Sequence, residues 1–412
     1  MTVRRRSLAL ALLPAPALAQ APPHVVVIGG GFGGASGARA LRGHGLGVTL
    51  VEPNPTYTAC PFSNAVIAGL RPMQQQRFGY AGLRTQGITV LHAAATGIDA
   101  VARRVTLGDG SVLGYDRLLL APGIALRFDA LPGYDEAASA LLPHAWQAGA
   151  QTELLARQIE AMEDGGTIVM AIPANPYRCP PGPYERASLI AHVLRTRKPR
   201  SKLLVLDAKD AFSKQRLFES AWAALYPGLL EYVPLSAGGR VTGVEAEGRA
   251  VVTDFTTHHG DVVNVIPPQR AGDIARIAGA TDRSGWCPID PASFESRLLP
   301  RVHVIGDAAI AGAMPKSAFA ANAQARVCAA AMAALLRGTA VQTPKLLNTC
   351  YSLVAPSYGI SVAGAYQPSN GLLADIAGAG GTSPIDAPAA VRAAEAAYAE
   401  DWFETITADA FG

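Results

Sequence analysis

The stretch from His24 to Glu52 constrains the fold of this chain more than any other. His24-Val-Val-Val-Ile-Gly29 is a β-branched apolar run that reads as a buried strand, Gly33–Gly43 as a small-residue helix, and Leu46–Glu52 as the next strand. Between the first strand and the helix stands Gly29-Gly-Gly31-Phe-Gly-Gly34, which satisfies G-x-G-x-x-G. Gly29, Gly31 and Gly34 let the backbone approach a pyrophosphate, the helix N-terminus favours its charge, and Glu52, 23 residues after Gly29, is placed to accept from ribose hydroxyls. The fingerprint is weak alone, but inside a βαβ opening it predicts a parallel α/β unit that holds a dinucleotide.

A hairpin turns at Asp109-Gly110, and Arg117–Ala121 returns as a buried strand that ends at Pro122-Gly123. The pattern then repeats: a polar helix over Gln151–Asp164, a strand at Thr167–Ile172, a helix over Glu185–Arg197, a strand at Lys202–Asp207 and a helix over Phe212–Tyr226. Two doubly wound units are expected. Late in the chain Arg301-Val-His-Val-Ile-Gly306-Asp307 reads as a strand of the first unit, followed by an Ala-rich helix over Ser317–Arg337. Beyond about residue 344 the composition shifts to short aromatic strands and a final helix over Pro388–Phe403, which reads as a separate small domain or an interface.

The second unit lacks the glycine loop. Its strand runs into Ala171-Ile-Pro-Ala-Asn-Pro-Tyr-Arg-Cys179-Pro-Pro-Gly-Pro-Tyr-Glu185, where Pro173, Pro176, Pro180, Pro181 and Pro183 remove backbone donors that would cradle phosphate. A pyridine nucleotide is therefore not expected there, and a cysteine stands in its place. In the first unit, Ala121-Pro122-Gly123 together with Gly306-Asp307 fits the pattern of two-domain flavoproteins, in which the aspartate bonds a ribityl chain, so the dinucleotide is expected to be FAD. Lys316, just before the Ser317 helix, is either a partner for negative charge on the flavin ring or a surface charge.

Met1–Ala21 has three consecutive arginines, a short apolar run and small residues up to a cleavage point after Ala19, the form of an export signal. The arginines Arg4, Arg5 and Arg6 with a mildly apolar run suggest the twin-arginine route, which carries folded proteins. The formal net charge of +3 falls to zero once residues 1–19 are removed, and no basic patch argues for nucleic acid. No later stretch has the ~18 uncharged apolar residues of a membrane span, so an exported, periplasmic protein is expected. In that compartment disulfides persist, and five cysteines leave at least one unpaired. On residues alone, a disulfide here would be an ordinary structural bridge, Cys60 a free thiol, and Cys287 and Cys328 buried small hydrophobes. No metal-ligand spacing and no haem-attachment motif occurs in the sequence.

Longer strings carry a family resemblance. Tyr57-Thr-Ala-Cys60-Pro-Phe-Ser-Asn64, His144–Gly149, Arg178-Cys-Pro-Pro-Gly-Pro-Tyr-Glu-Arg-Ala-Ser188, Pro267–Gly272, Gly285-Trp-Cys-Pro288 and Phe411-Gly412 resemble the flavoprotein subunit of flavocytochrome c sulfide dehydrogenase over nearly the whole chain. The resemblance implies a glutathione reductase-like α/β fold with two dinucleotide-binding-type domains and a small C-terminal α+β domain. It divides the chain into a leader over 1–19, FAD-binding parts over 24–143 and 271–343, a Rossmann-like unit over 144–270 and a C-terminal domain over 344–412. It also implies a thioether from Cys60 to the flavin, a redox disulfide between Cys179 and Cys350, and a c-type cytochrome partner in a heterodimer. Hydrosulfide would attack that disulfide, leaving a persulfide on one cysteine and a thiolate on the other. Which sulfur is attacked stays open.

Three further assignments have two readings each. Glu185, at a helix start, is a proton carrier for that attack or only a helix-dipole partner. Trp402 packs near the flavin or in the core. The aromatics Tyr351, Tyr358, Tyr366 and Trp402 form a docking surface or fill the interior. The rival activities are a sulfide:quinone reductase and a flavoprotein accessory subunit acting on a carrier-bound sulfur. The first should end in an apolar amphipathic anchor, against which Arg392, Glu395, Glu400, Asp401 and Glu404 count.

Overall fold

Strands such as Val25–Ile28 and Leu118–Leu120 are apolar at every position rather than at alternate ones, and both are buried on both faces. That is the requirement for parallel strands covered by helices. In the computed structural model, which describes residues 22–412, they lie in a five-stranded sheet ordered Val302–Val304, Arg117–Leu120, His24–Ile28, Gly47–Val51, Thr89–Leu91, with every pairing parallel. The expected leader over 1–19 lies outside the described residues. The glycine loop is sterically forced: Gly29 has φ +96° and a Cβ there would strike the Ala121 carbonyl, while a Cβ on Gly34 would strike the Gly29 carbonyl.

Thr167–Ile172 and Lys202–Asp207 form at their expected bounds, inside a second parallel sheet ordered Leu230–Val233, Lys202–Asp207, Thr167–Ile172, Val262–Val265. Gln269–Ala271 then pairs antiparallel with Ile124–Leu126 and ties the second unit back to the first. At the carboxyl ends of the second sheet, where such folds bind nucleotides, this chain places its own side chains. Asp207 accepts from Tyr184 Oη at 2.5 Å and Tyr232 Oη at 3.1 Å and pairs with Lys209 Nζ at 2.5 Å, while Lys209 also donates to the Pro173 carbonyl at 3.0 Å. Tyr184 stacks on Phe212 with centroids 3.6 Å apart, so the crevice is filled with aromatic rings around a buried ion pair.

The C-terminal region differs from its expected form. Its strands are long, not short: Leu346–Ala355 and Tyr358–Ser369 make an antiparallel hairpin of 10 and 12 residues, extended by Leu372–Asp375 and Gly381–Thr382. The last helix runs over Ala389–Phe411 rather than ending at Phe403, because Ile406, Thr407, Ala410 and Phe411 are drawn into the core and tertiary burial overrides local propensity. Leu346, Val354, Ile360 and Phe403 join the same continuous core as the strands of the first sheet. Tyr366 is buried and cannot belong to a docking surface. Arg392 and Glu395 also turn inward, Arg392 donating to the Ile385 carbonyl at 3.2 Å and Glu395 accepting from Ser361 Oγ at 2.9 Å, so they are not surface charges. The Ala318–Arg337 helix is long and apolar enough to cross a membrane by composition, but half of it is buried, packed on Phe32–Gly43.

Candidate active site

One cavity of about 620 Å³ runs from the glycine loop to the C-terminal hairpin, within the roughly 300–1,000 Å³ range of cofactor sites. Gly29, Gly31, Glu52, Cys60, Ala121, Gly123, Cys179, Glu185, Gly306, Asp307, Cys350 and Trp402, all singled out from the sequence, line it. Residues separated by more than 300 positions therefore meet on one surface. Gly34 lies beneath the loop, where its lack of a side chain lets the helix start close to Gly29.

Glu52 holds the loop as well as facing the cavity: its carboxylate accepts from Gly30 N at 2.8 Å and from Asn54 N at 3.0 Å. Tyr80, which sequence reasoning missed, donates to the Gly30 carbonyl at 3.1 Å. Gly306 N donates to Gln324 Oε1 at 2.7 Å, which anchors the turn that carries Asp307. Burial raises the Asp307 carboxyl above its usual range, against the opposing pull of Arg178 and Lys316. Three buried polar atoms among the lining residues have no partner: Asp307 Oδ1, Trp146 Nε1 and Trp402 Nε1. Buried polar groups are normally satisfied, so these mark where a bound polar molecule completes the structure. A dinucleotide loop, an orphaned carboxylate and two unpartnered indole donors lining one cavity fit FAD.

Lys316 does not line the cavity. Its ammonium donates to the carbonyls of Asp307 at 2.7 Å and Ala309 at 2.8 Å and lies 3.9 Å from the Trp286 ring centre. It braces the Asp307 turn rather than facing the cavity, and burial lowers its pKa to about 8. Its carbonyl accepts from Cys179 N at 2.8 Å, which links the proline-rich turn to the same turn. The helix end that does face the cavity is Ser317–Phe319, capped by Ser317 Oγ accepting from Ala320 N at 3.0 Å.

All five cysteines lie among the described residues and all are free thiols in this structure. Cys60, Cys179 and Cys350 line the cavity together, whereas Cys287 and Cys328 are buried elsewhere in the core. Cys60 Sγ lies 3.9 Å from the Trp146 carbonyl. Cys179 occupies a left-handed backbone conformation at φ +58°, a strained position for a residue with a side chain, just ahead of the Gly182–Arg197 helix. Its thiol is pushed far up by burial, then by Cys350 and Glu185, against Arg178 and Lys214. Cys350 Sγ accepts from Asn348 Nδ2 at 3.3 Å.

Glu185 sits on the same wall and its carboxylate is fully engaged: Oε2 accepts from Asn64 Nδ2 at 2.8 Å and Oε1 from Leu353 N at 2.8 Å. Burial nonetheless raises its pKa, the direction a proton carrier requires. Next to it, Arg186 is a hub that sequence reasoning did not single out. It donates to Asn64 Oδ1 at 3.0 Å, Asn264 Oδ1 at 3.0 Å, the His144 carbonyl at 2.9 Å and the Ala145 carbonyl at 2.5 Å, with its guanidinium 5.0 Å from the Trp146 ring centre. Asn64 thus bridges Arg186 and Glu185. Its place in the Tyr57–Asn64 string was the signal that could have found it.

Three stretches of the chain match models of known protein families. Residues 152–267 match the family model for the central region of the sulfide dehydrogenase [flavocytochrome c] flavoprotein chain, and 342–411 match that for the flavin-binding region of flavocytochrome c sulphide dehydrogenase. Residues 23–157 match the pyridine nucleotide-disulphide oxidoreductase model. The sulfide dehydrogenase [flavocytochrome c] flavoprotein chain of Chlorobaculum thiosulfatiphilum is 61% identical over 44 residues, 10% of this chain and 92% of that sequence. Sulfide-quinone reductase of Aquifex aeolicus is 30% identical over 183 residues, which covers 44% of this chain and 41% of that one. The crystal structure of the sulfide:quinone oxidoreductase from the same organism superposes with a TM-score of 0.75 at 18% identity over 94% of this chain and 92% of that one. A putidaredoxin reductase superposes with a TM-score of 0.65 at 20% identity, over 84% and 82% of the two chains. The expected two-unit flavoprotein fold is borne out by these neighbours, and the chain is an FAD oxidoreductase. Its central and C-terminal regions, the parts that carry Cys179 and Cys350, place it in the flavoprotein family of flavocytochrome c sulfide dehydrogenase.

Proposed function

We propose that the protein oxidises sulfide to sulfane sulfur at a Cys179–Cys350 pair and passes the electrons through FAD to a c-type cytochrome partner, after export to the periplasm. The observation that carries this reading is the meeting of Cys60, Cys179 and Cys350 with Glu185 and Asp307 around one cavity. Bound FAD would supply a two-electron acceptor that releases electrons singly. The glycine loop and Glu52 would hold its pyrophosphate and ribose, Asp307 its ribityl chain, and Cys60 a covalent link.

Hydrosulfide entering the cavity attacks one sulfur of the oxidised pair; the new S–S bond makes a persulfide, and the old bond leaves its electron pair on the other sulfur as a thiolate. Glu185 takes or gives the proton at these sulfurs, its position fixed by Asn64 and Leu353 N. Arg186 keeps Asn64 and the His144–Ala145 backbone in register around the site. Electron entry at the sulfurs accords with a second unit whose nucleotide crevice is filled by Tyr184, Phe212 and the Asp207–Lys209 pair.

The test is anaerobic addition of sulfide to the purified FAD-bound protein. The flavin absorbance bleaches in the wild type and not in Cys179→Ser; wild-type behaviour in Cys179→Ser would sink the reading. Intact mass should show the chain heavier by one FAD, lost in Cys60→Ala, and peptide mapping under oxidising conditions should show one reducible Cys179–Cys350 bridge. The likeness to sulfide:quinone reductases favours a second acceptor, a quinone. Turnover with cytochrome c but not with a soluble quinone analogue separates the two.

A further inference from the structure

Lys214 is a buried ammonium outside the cavity lining. It stands ahead of the Gln215–Leu225 helix in a left-handed conformation at φ +64°, 7% exposed, and its side chain crosses from the second unit to the C-terminal hairpin. There Nζ donates to the carbonyl of Cys350 at 2.9 Å and to Ser352 Oγ at 2.8 Å, while the carbonyl of Ile360, at 3.5 Å, is a loose third partner. A backbone strained at a non-glycine residue is held where the surroundings over-determine it. Here it aims a charge at the strand that carries a cavity cysteine.

The charges around this ammonium come from every element packed on it. Cys350 faces it from the hairpin, Glu185 from the Gly182–Arg197 helix, Cys179 from the proline-rich turn and Glu395 from the last helix, and all four favour its charged form against the cost of burial. Glu395 is already engaged with Ser361 and Arg392, and Glu185 with Asn64 and Leu353. Arg186 is spread over four acceptors, and Arg178, bound to the Trp146 carbonyl, joins Lys214 in favouring the Cys179 thiolate. Lys214 is the cation bonded to the strand that carries Cys350, and so the one placed to answer a new negative charge there.

Resting on the sulfide reading above, we propose that Lys214 is a positioning residue and the counter-charge of the cysteine pair, fixing the Cys350 strand and stabilising the anion that hydrosulfide brings into the cavity. The step balances: one HS⁻ and one disulfide become one persulfide and one thiolate, so the sulfide sulfur is oxidised, the pair is reduced, and a single negative charge stays in a buried site. In low dielectric a fixed opposite charge matters far more than in water. Burial lowers Lys214 to about pH 8, so the counter-charge is present below that pH and lost above it.

A readout that does not depend on turnover uses the reduced, FAD-bound protein, alkylated at Cys179 and Cys350 with anionic iodoacetate or neutral iodoacetamide and mapped by peptide mass. A change in thiol reactivity alters both rates and cancels in their ratio, whereas a lost cation slows only the anion. Lys214→Met should lower the iodoacetate:iodoacetamide ratio by about tenfold, and Lys214→Arg should keep it within about twofold. In the wild type the ratio should fall as pH rises through about 8, while Lys214→Arg stays flat. A ratio unchanged in Lys214→Met overturns the proposal. Should that variant fail to fold with FAD, Lys214→Gln read against Lys214→Arg decides, and equal ratios in the two overturn it. Anaerobic sulfide bleaching run beside it keeps the two readings apart: a fallen ratio with no bleaching in the wild type removes sulfide as the substrate and leaves the counter-charge standing.

Discussion

His144 shows how a single residue of the site carries a pH signature. It is 5% exposed, its Nδ1 accepts from Trp146 N at 2.9 Å, and its carbonyl accepts from Arg186 and Asn264. Burial, then Arg186 and Arg178, lowers its pKa to about 3. The folded state therefore keeps this ring neutral while the unfolded chain protonates it below about 6.5. The stability it contributes is complete above about pH 6.5 and is lost as pH falls toward 3, about 2 kcal/mol of it by about pH 5. His303, lowered to about 4 by burial, adds a loss of the same sign. Urea midpoints at neutral and mildly acid pH should diverge in the wild type, and His144→Asn, which keeps an acceptor for Trp146 N, should narrow the gap. Residues of this kind were partly legible in the sequence. The glycines, Asp307 and the cysteines announce themselves by type and spacing. Lys214 and Arg186 do not, because their partners lie far along the chain, as Ser352 does from Lys214, 138 residues away. Lys316 was legible as a lysine next to the flavin turn, but nothing in the sequence says that its ammonium folds back onto the Asp307 and Ala309 carbonyls.

Among the elements, the parallel strands were the easiest to read, since a run apolar on both faces has few other uses. The last helix was the hardest. Thr405-Ile-Thr407 has poor helix propensity, and only the fold supplies the burial that extends the helix to Phe411. Phe411 stacks on Tyr57 and Phe78, with centroids 5.3 and 5.2 Å away, and meets Phe32 edge-on at 5.6 Å. Tyr57 in turn lines the cavity and packs on Gly31. The helix end thus buttresses the glycine loop from behind. Phe411→Ala should cost about 3 kcal/mol in urea unfolding, as expected for a large ring removed from a packed core. It should also lower the share of purified protein that carries FAD, measured by the ratio of flavin to protein absorbance. A stability loss with full FAD content would confine Phe411 to the core and remove its link to the loop.

At the scale of the whole molecule, two α/β units of the same plan have been put to different uses. The first keeps its carboxyl-end crevice open as part of the cavity; the second closes its own with Tyr184, Phe212, Tyr232 and the Asp207–Lys209 pair. The sequence showed the missing glycine loop and the prolines, which excludes a phosphate cradle, but not the filling, which depends on rings brought together from three elements. A buried pair of this kind contributes little net stability, yet breaking it by removing one partner is costly. Lys209→Met should destabilise the protein by about 3 kcal/mol because Asp207 is left buried without its cation, and Asp207→Asn combined with Lys209→Met should recover most of that loss. None of these proteins should have its flavin reduced by NADH or NADPH under anaerobic conditions, since Tyr184 and Phe212 still occupy the crevice in each. Reduction of the wild type by either nucleotide would mean that the crevice opens, and electrons would then have an entrance other than the sulfurs. If the nucleotides fail and sulfide succeeds, the cavity between the units and the C-terminal hairpin is the entrance, and the second unit serves to hold the proline-rich turn and Cys179 against it.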